Sequence, residues 1–118
     1  MNLNILEDKK ENEVQEAIIE EIQEEIADLE EYARQGKAPP HCRGYRLKIN
    51  GVGYVVYKPI ITGREVLALA GLAPAADYTL RIKIAGQRPE KVGLDEKVNL
   101  RKPGIEKFKA TPREQTEG

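Results

Sequence analysis

The chain has no tryptophan and only one phenylalanine, one methionine, one histidine and one cysteine. The lone Cys42 excludes a disulfide within the chain and points to a reducing compartment, the cytoplasm. His41 stands beside it, but neither residue type recurs, so a zinc site built by one chain lacks its remaining ligands. The same scarcity leaves no nucleophile–base pair for hydrolysis or group transfer. No apolar run approaches the ~20 residues that cross a bilayer. The opening MNLNILEDKKENE has neither the basic start nor the apolar centre of a secretion signal. These absences predict a cytoplasmic protein that is not an enzyme, with no metal, no cofactor and no membrane partner. At 118 residues the chain has room for one modest domain.

What is present is charge, unevenly placed. The net charge of -1 conceals twelve acidic and two basic side chains in residues 1–33, against eight and seventeen in residues 34–118. An acidic arm and a basic domain on one chain attract each other, within one molecule or between copies.

Residues 1–36 read as the acidic arm. Residues 1–10 carry no clear period. Over residues 11–34, Val14, Ile18, Ile22, Ile26, Leu29 and Ala33 recur at helical steps, with Ile19 adding to a seam too short for a confident coiled coil. No Lys or Arg occurs from 11 to 31, so stabilising i,i+4 ion pairs are missing and like charges repel. This amphipathic helix therefore needs a partner for its apolar face, and Val14, Ile18, Ile19, Ile22, Ile26 and Leu29 are the expected contacts. Docking on its own domain and docking on another copy both remain open. The second is favoured, because the linker at residues 37–44 carries Pro39-Pro40, which stiffens it as a spacer.

From Tyr45 the period becomes two. Tyr45, Leu47 and Ile49 face one way, and Asn50-Gly51 marks a tight hairpin returning through residues 54–57. Thr62 and Glu65 then make a capping box for a short helix, apolar almost all round, that ends at Gly71. A helix of that kind is expected to be covered on most sides. Residues 78–84 alternate again, with Tyr78, Leu80, Ile82 and Ile84 inward. Residues 91–100 hold a short strand and a turn, with Val92, Leu94, Val98 and Leu100 as satellite core. Residues 105–111 form the last strand, with Phe108 and Ala110 inward and Pro112 as its stop. The order strand, strand, helix, strand, strand predicts an α+β domain over residues 45–112, a ββαββ β-grasp with one helix held by a small sheet. Residues 113–118 are a free polar tail.

Two features bear on function. Arg46, Lys48, Arg81, Lys83, Lys107 and Lys109 should share the outward face of the sheet, with no acids interspersed on those strand faces. No aromatic stripe accompanies them, and the chain's own acidic arm competes for the patch, so nucleic acid is not the expected partner. The second feature is the tail, Arg113, Glu114, Gln115, Thr116, Glu117 and Gly118. A terminal glycine carboxylate on a flexible peptide suits adenylation, thioester transfer and final attachment to an amine, since glycine obstructs no narrow channel.

The stretches ING with a tyrosine-rich strand, TGREVLALAG, YTLRIKIAG, LDEKVNL and PGIEKFKATPR together resemble the prokaryotic multiubiquitin-domain family of bacterial ubiquitin-like proteins. The resemblance covers residues 45–113 and leaves the acidic arm outside. It implies a ubiquitin-like fold. The implied partners are an activating enzyme, a conjugating enzyme and a deubiquitinase-like metalloprotease of the same operon, together with target proteins. The roles it implies are protein conjugation through an isopeptide bond and antiphage defence. Gly118 would be the conjugated residue and residues 112–117 the peptide that enters the enzymes. Ubiquitin ends in two glycines, whereas Glu117 precedes Gly118 here. The reading is a ubiquitin-like modifier that assembles as a homo-oligomer through its arm. The alternatives are a non-conjugated module that forms rings or filaments, and a sulfur carrier.

Overall fold

The computed structural model describes residues 24–113. Residues 24–28 form a strand where a helix was expected. Strand β1 (Glu24–Asp28) runs parallel to β2 (Cys42–Ile49), with Ala27 opposite Tyr45 and Asp28 opposite Arg46. Helix α1 is confined to Leu29–Gln35, where the Asp28 carboxylate caps it by accepting from the Glu30 N–H at 3.1 Å and Gly36 closes it at φ 69°. An acidic helix without internal ion pairs has little to hold residues 24–28. In extended form they find open backbone on β2 and place Ala27 and Leu29 in the core. Residues 37–44 are likewise no spacer. Pro39 is buried and its carbonyl accepts from Arg101 Nε at 3.4 Å, while Cys42 already belongs to β2.

The hairpin after β2 follows the sequence. Asn50 (φ 54°) and Gly51 (φ 83°) both take the left-handed conformation that a tight turn between twisted strands demands, and β3 (Val52–Val56) returns antiparallel. Next come β4 (Ile60–Thr62) and α2 (Gly63–Leu69), joined by the expected capping box: Thr62 Oγ1 accepts from the Glu65 N–H at 3.2 Å, and Glu65 Oε1 accepts from the Thr62 N–H at 2.9 Å. Gly71 at φ 71° follows the helix. The cover over α2 is one-sided, contrary to the expectation. Val66 and Leu67 are fully buried, Leu69 is half-buried and Ala68 faces out. Two turns of helix lie on the sheet by one stripe only.

A single 3₁₀ turn (Ala75–Asp77) leads into β5 (Tyr78–Ile84). Residues 90–100 form two strands in different sheets rather than one: β6 (Glu90–Val92) pairs with β5, and β7 (Lys97–Asn99) pairs with β4. Their connection closes the start of α2, because the Gly63 and Arg64 N–H groups donate to the carbonyls of Glu96 and Leu94 at 3.1 and 2.8 Å. That approach leaves no room for a side chain at position 63, where a Cβ would lie 2.3 Å from the Gly93 carbonyl oxygen. Strand β8 (Ile105–Pro112) is central and continues through Pro112 rather than ending before it.

The main sheet runs β1-β2-β8-β5-β6, with β3 on the other side of β2. β1 and β8 share one edge of β2 end to end: β1 takes Cys42 to Arg46, and β8 joins at Ile49 opposite Phe108. Tyr45, Leu47, Ile49, Leu80, Ile105 and Phe108 point to the same side and bury Val66 and Leu67 beneath them. The result is a mixed α+β domain with β-grasp-like features, extended at its front by β1 and α1. No helix among the described residues is long and apolar enough to cross a membrane.

Candidate functional site: the basic sheet face and the chain exit

The core claims every second strand residue, so the alternate positions define the opposite face. On β5 and β8 the register sets Arg81 across from Lys109, and Lys83 across from Lys107. These are two like-charge pairs in adjacent strands, an arrangement that costs stability. Arg81, Lys83, Lys107 and Lys109, with Pro89 and Thr111, line a groove of about 280 Å³. A second hollow of about 480 Å³ lies on the other side of Lys107 and Lys109, bounded by Asn50, Gly51 and Ala110. On β2, Lys48 precedes the point where β8 joins at Ile49, whereas Arg46 lies between Asp28 of β1 and Val55 of β3. Arg81, Lys83, Lys107 and Lys109 are thus brought together on β5 and β8, while Lys48 and Arg46 stand on β2.

Acids do reach this face, which the strand pattern hid. A register shift between Lys83 and Ile84 inserts Glu106 into β8, and its carboxylate lies 4.0 Å from the Lys83 ammonium, which also donates to the Ile84 carbonyl at 3.0 Å. Glu30, at the start of α1, meets Lys48 at 2.6 Å. The hydrogen bond from Lys48 holds the Glu30 carboxyl below the ordinary glutamate range, with further attraction from Lys48, Arg34 and Lys107 outweighing partial desolvation. Glu25 approaches Arg43 at 3.7 Å on the open surface. Arg46, Arg81, Lys107 and Lys109 have no ion-pair partner among the described residues. Glu30 was not foreseen as part of the site, and its signal was only the charge asymmetry.

The expected assembly contacts divide. Val14, Ile18, Ile19 and Ile22 lie outside the described residues. Leu29 is 2% exposed and belongs to the chain's own core, so it is not available to another copy. Ile26 is half-buried in β1 against Gly44, where an added Cβ would lie 2.8 Å from its Cδ1. α1 packs on β8 and β2 of its own domain.

At the chain exit, the Arg113 N–H donates to the Asp77 carbonyl at 2.8 Å, the last described tie of β8 to the domain. A cleft of about 380 Å³ between β5 and β6, lined by Tyr78, Leu80, Val92 and Leu94 among others, ends at Arg113. Glu114, Gln115, Thr116, Glu117 and Gly118 lie outside the described residues. His41 is exposed and Cys42 is buried, its N–H donating to the Tyr45 hydroxyl at 3.1 Å. No cluster of metal-ligating side chains occurs among the described residues.

No curated protein and no solved structure matches the chain. Residues 45–113, more than half of it, match the multiubiquitin family, from the first inward tyrosine of β2 to the last tie of β8. On that match, and on a mixed α+β fold whose elements fall in the expected order, the chain belongs to the multiubiquitin family.

Proposed function

We propose that this chain is a prokaryotic ubiquitin-like modifier, active in the cytoplasm, whose Gly118 carboxylate is joined to amines of target proteins. The observation that carries this reading is the family match ending at Arg113, where β8 leaves the sheet beside an open cleft. β8 thus ends just before the exposed Arg113, which is tied to the domain through the Asp77 carbonyl. The chemistry belongs to partners. The Gly118 carboxylate attacks the α-phosphate of ATP and releases pyrophosphate. A thiolate of the activating enzyme then displaces AMP to form a thioester, passes the acyl group to a conjugating enzyme, and an amine finally displaces the thiol. A deubiquitinase-like metalloprotease of the same operon would hydrolyse the product. The modifier supplies a carboxylate and a recognisable surface, and the basic face is the strongest candidate for that surface. With Leu29 in its own core, assembly between copies would have to rest on Val14, Ile18, Ile19 and Ile22.

The test is incubation of the purified chain with the activating enzyme of its own operon and ATP. Expected are AMP release and a thiol-sensitive adduct with the intact chain, and neither with a chain lacking Gly118. If the intact chain forms neither adenylate nor thioester, the proposal is wrong.

A further inference from the structure

We infer that residues 11–23, the acidic segment ahead of β1, dock in the β5–β8 groove of the same chain and cover its basic face. The groove asks for an anionic, amphipathic occupant. Arg81, Lys83, Lys107 and Lys109 line it with Pro89 and Thr111, and long cationic side chains of this kind offer an aliphatic stem beside a charged end. The paired cations Arg81–Lys109 and Lys83–Lys107 repel each other in an empty groove and are relieved by carboxylates set between them. Residues 11–23 supply Glu11, Glu13, Glu16, Glu20 and Glu21, no base, and a row of Val14, Ile18, Ile19 and Ile22 to lie along the stems.

Reach and tethering favour the same chain. Glu24 lies opposite Cys42, and the groove sits level with Ile49, seven residues or roughly 23 Å further along the strand direction. Thirteen residues span about 40 Å extended, enough for that distance, but only about 20 Å as a helix, so the segment reaches the groove with part of its length extended. The neighbouring acids are already docked at home, Glu25 on Arg43 and Glu30 on Lys48. A short tether holds the segment at an effective concentration on the order of millimolar, above that of a second copy in dilute solution. The segment would then compete with any acidic partner for this face. The inference goes beyond the modifier reading and needs no conjugating machinery, so either can fail without the other.

Paramagnetic relaxation on the full chain tests it. A nitroxide at Glu16→Cys, with Cys42 protected by its burial, should broaden the amides of Arg81, Lys83, Lys107 and Lys109 at least twofold more than those of β3. The effect should vanish in about 1 M salt, where screening shortens to ~3 Å, and in the Lys107→Glu, Lys109→Glu double variant. Arg81→Gln with Lys83→Gln serves as a second variant should the first disturb the sheet. In a mixture of spin-labelled unenriched chains with ¹⁵N-enriched unlabelled chains, no broadening should appear. Absence of broadening at the groove, persistence at high salt, or equal broadening in the mixture, which would make the occupant another copy's segment, each overturns the inference.

Discussion

The side-chain amide of Asn50 grips the backbone of Ala110 at both ends: Nδ2 donates to the Ala110 carbonyl at 3.0 Å, and Oδ1 accepts from the Ala110 N–H at 2.9 Å. With the Asn50 N–H donating to the Phe108 carbonyl at 3.1 Å, a turn residue extends the β2–β8 pairing past the end of β2. The same residue holds φ 54°. Asn50→Gly should keep the turn and lose the grip, at about 1–2 kcal/mol. Asn50→Ala should add left-handed strain of about 1 kcal/mol or more. Urea unfolding should therefore rank wild type above Asn50→Gly above Asn50→Ala, and equal midpoints for the two variants would contradict the double role.

The two glycines flanking α2 should respond differently to alanine. At Gly63 the new Cβ meets a backbone carbonyl at 2.3 Å, and the hydrogen bonds to Glu96 and Leu94 must give way, a loss of about 2–4 kcal/mol. At Gly71 nothing lies within 4 Å, and only the positive φ of 71° opposes alanine, at about 1–2 kcal/mol. Thermal unfolding of the two variants side by side decides this, with Gly63→Ala the lower.

Acid should loosen the front of the domain. The folded-state pKa of Glu30 is depressed, so its contribution is present above the ordinary glutamate value of 4.5 and fades as pH falls through the lower folded value. Glu30→Gln should flatten that part of the stability–pH curve while costing below about 1 kcal/mol at pH 7, as an exposed pair implies. Urea midpoints from pH 7 to pH 3 measure both.

Reversing one cation should stabilise the sheet. Lys109→Glu turns the repulsive pair with Arg81 into an attractive one, a gain of roughly 0.5–1 kcal/mol in low salt. In about 1 M salt the gain should disappear. Melting temperatures at the two ionic strengths give the answer, and a destabilised low-salt variant would show that the pair does not repel as drawn.

Much of this was legible in the chain. Alternation in β5 and β8, the Asn50-Gly51 turn and the Thr62–Glu65 capping box are local signals, read from neighbours a few residues apart. β1 was hidden because Glu-Glu-Ile-Ala-Asp has no strand preference of its own, and its conformation comes from a partner eighteen residues later. The outward position of the six cations followed from alternation, whereas their pairing across β5 and β8, and the intrusion of Glu106, depend on a register shift that no period reveals. The grip of Asn50 on Ala110 joins residues sixty positions apart and left no trace in either segment.

The shared edge of β2 separates two boundaries that are easily taken for one. The family match begins at Tyr45, but the fold already includes Glu24–Gln35 ahead of it, because β1 covers Cys42 to Arg46 and leads Leu29 into the core. Excising the kindred region alone would bare a strand edge and leave the space of Leu29 unfilled. Ancestry draws the line inside the domain, and the twenty-one residues ahead of it are as native to the fold as the strands they join.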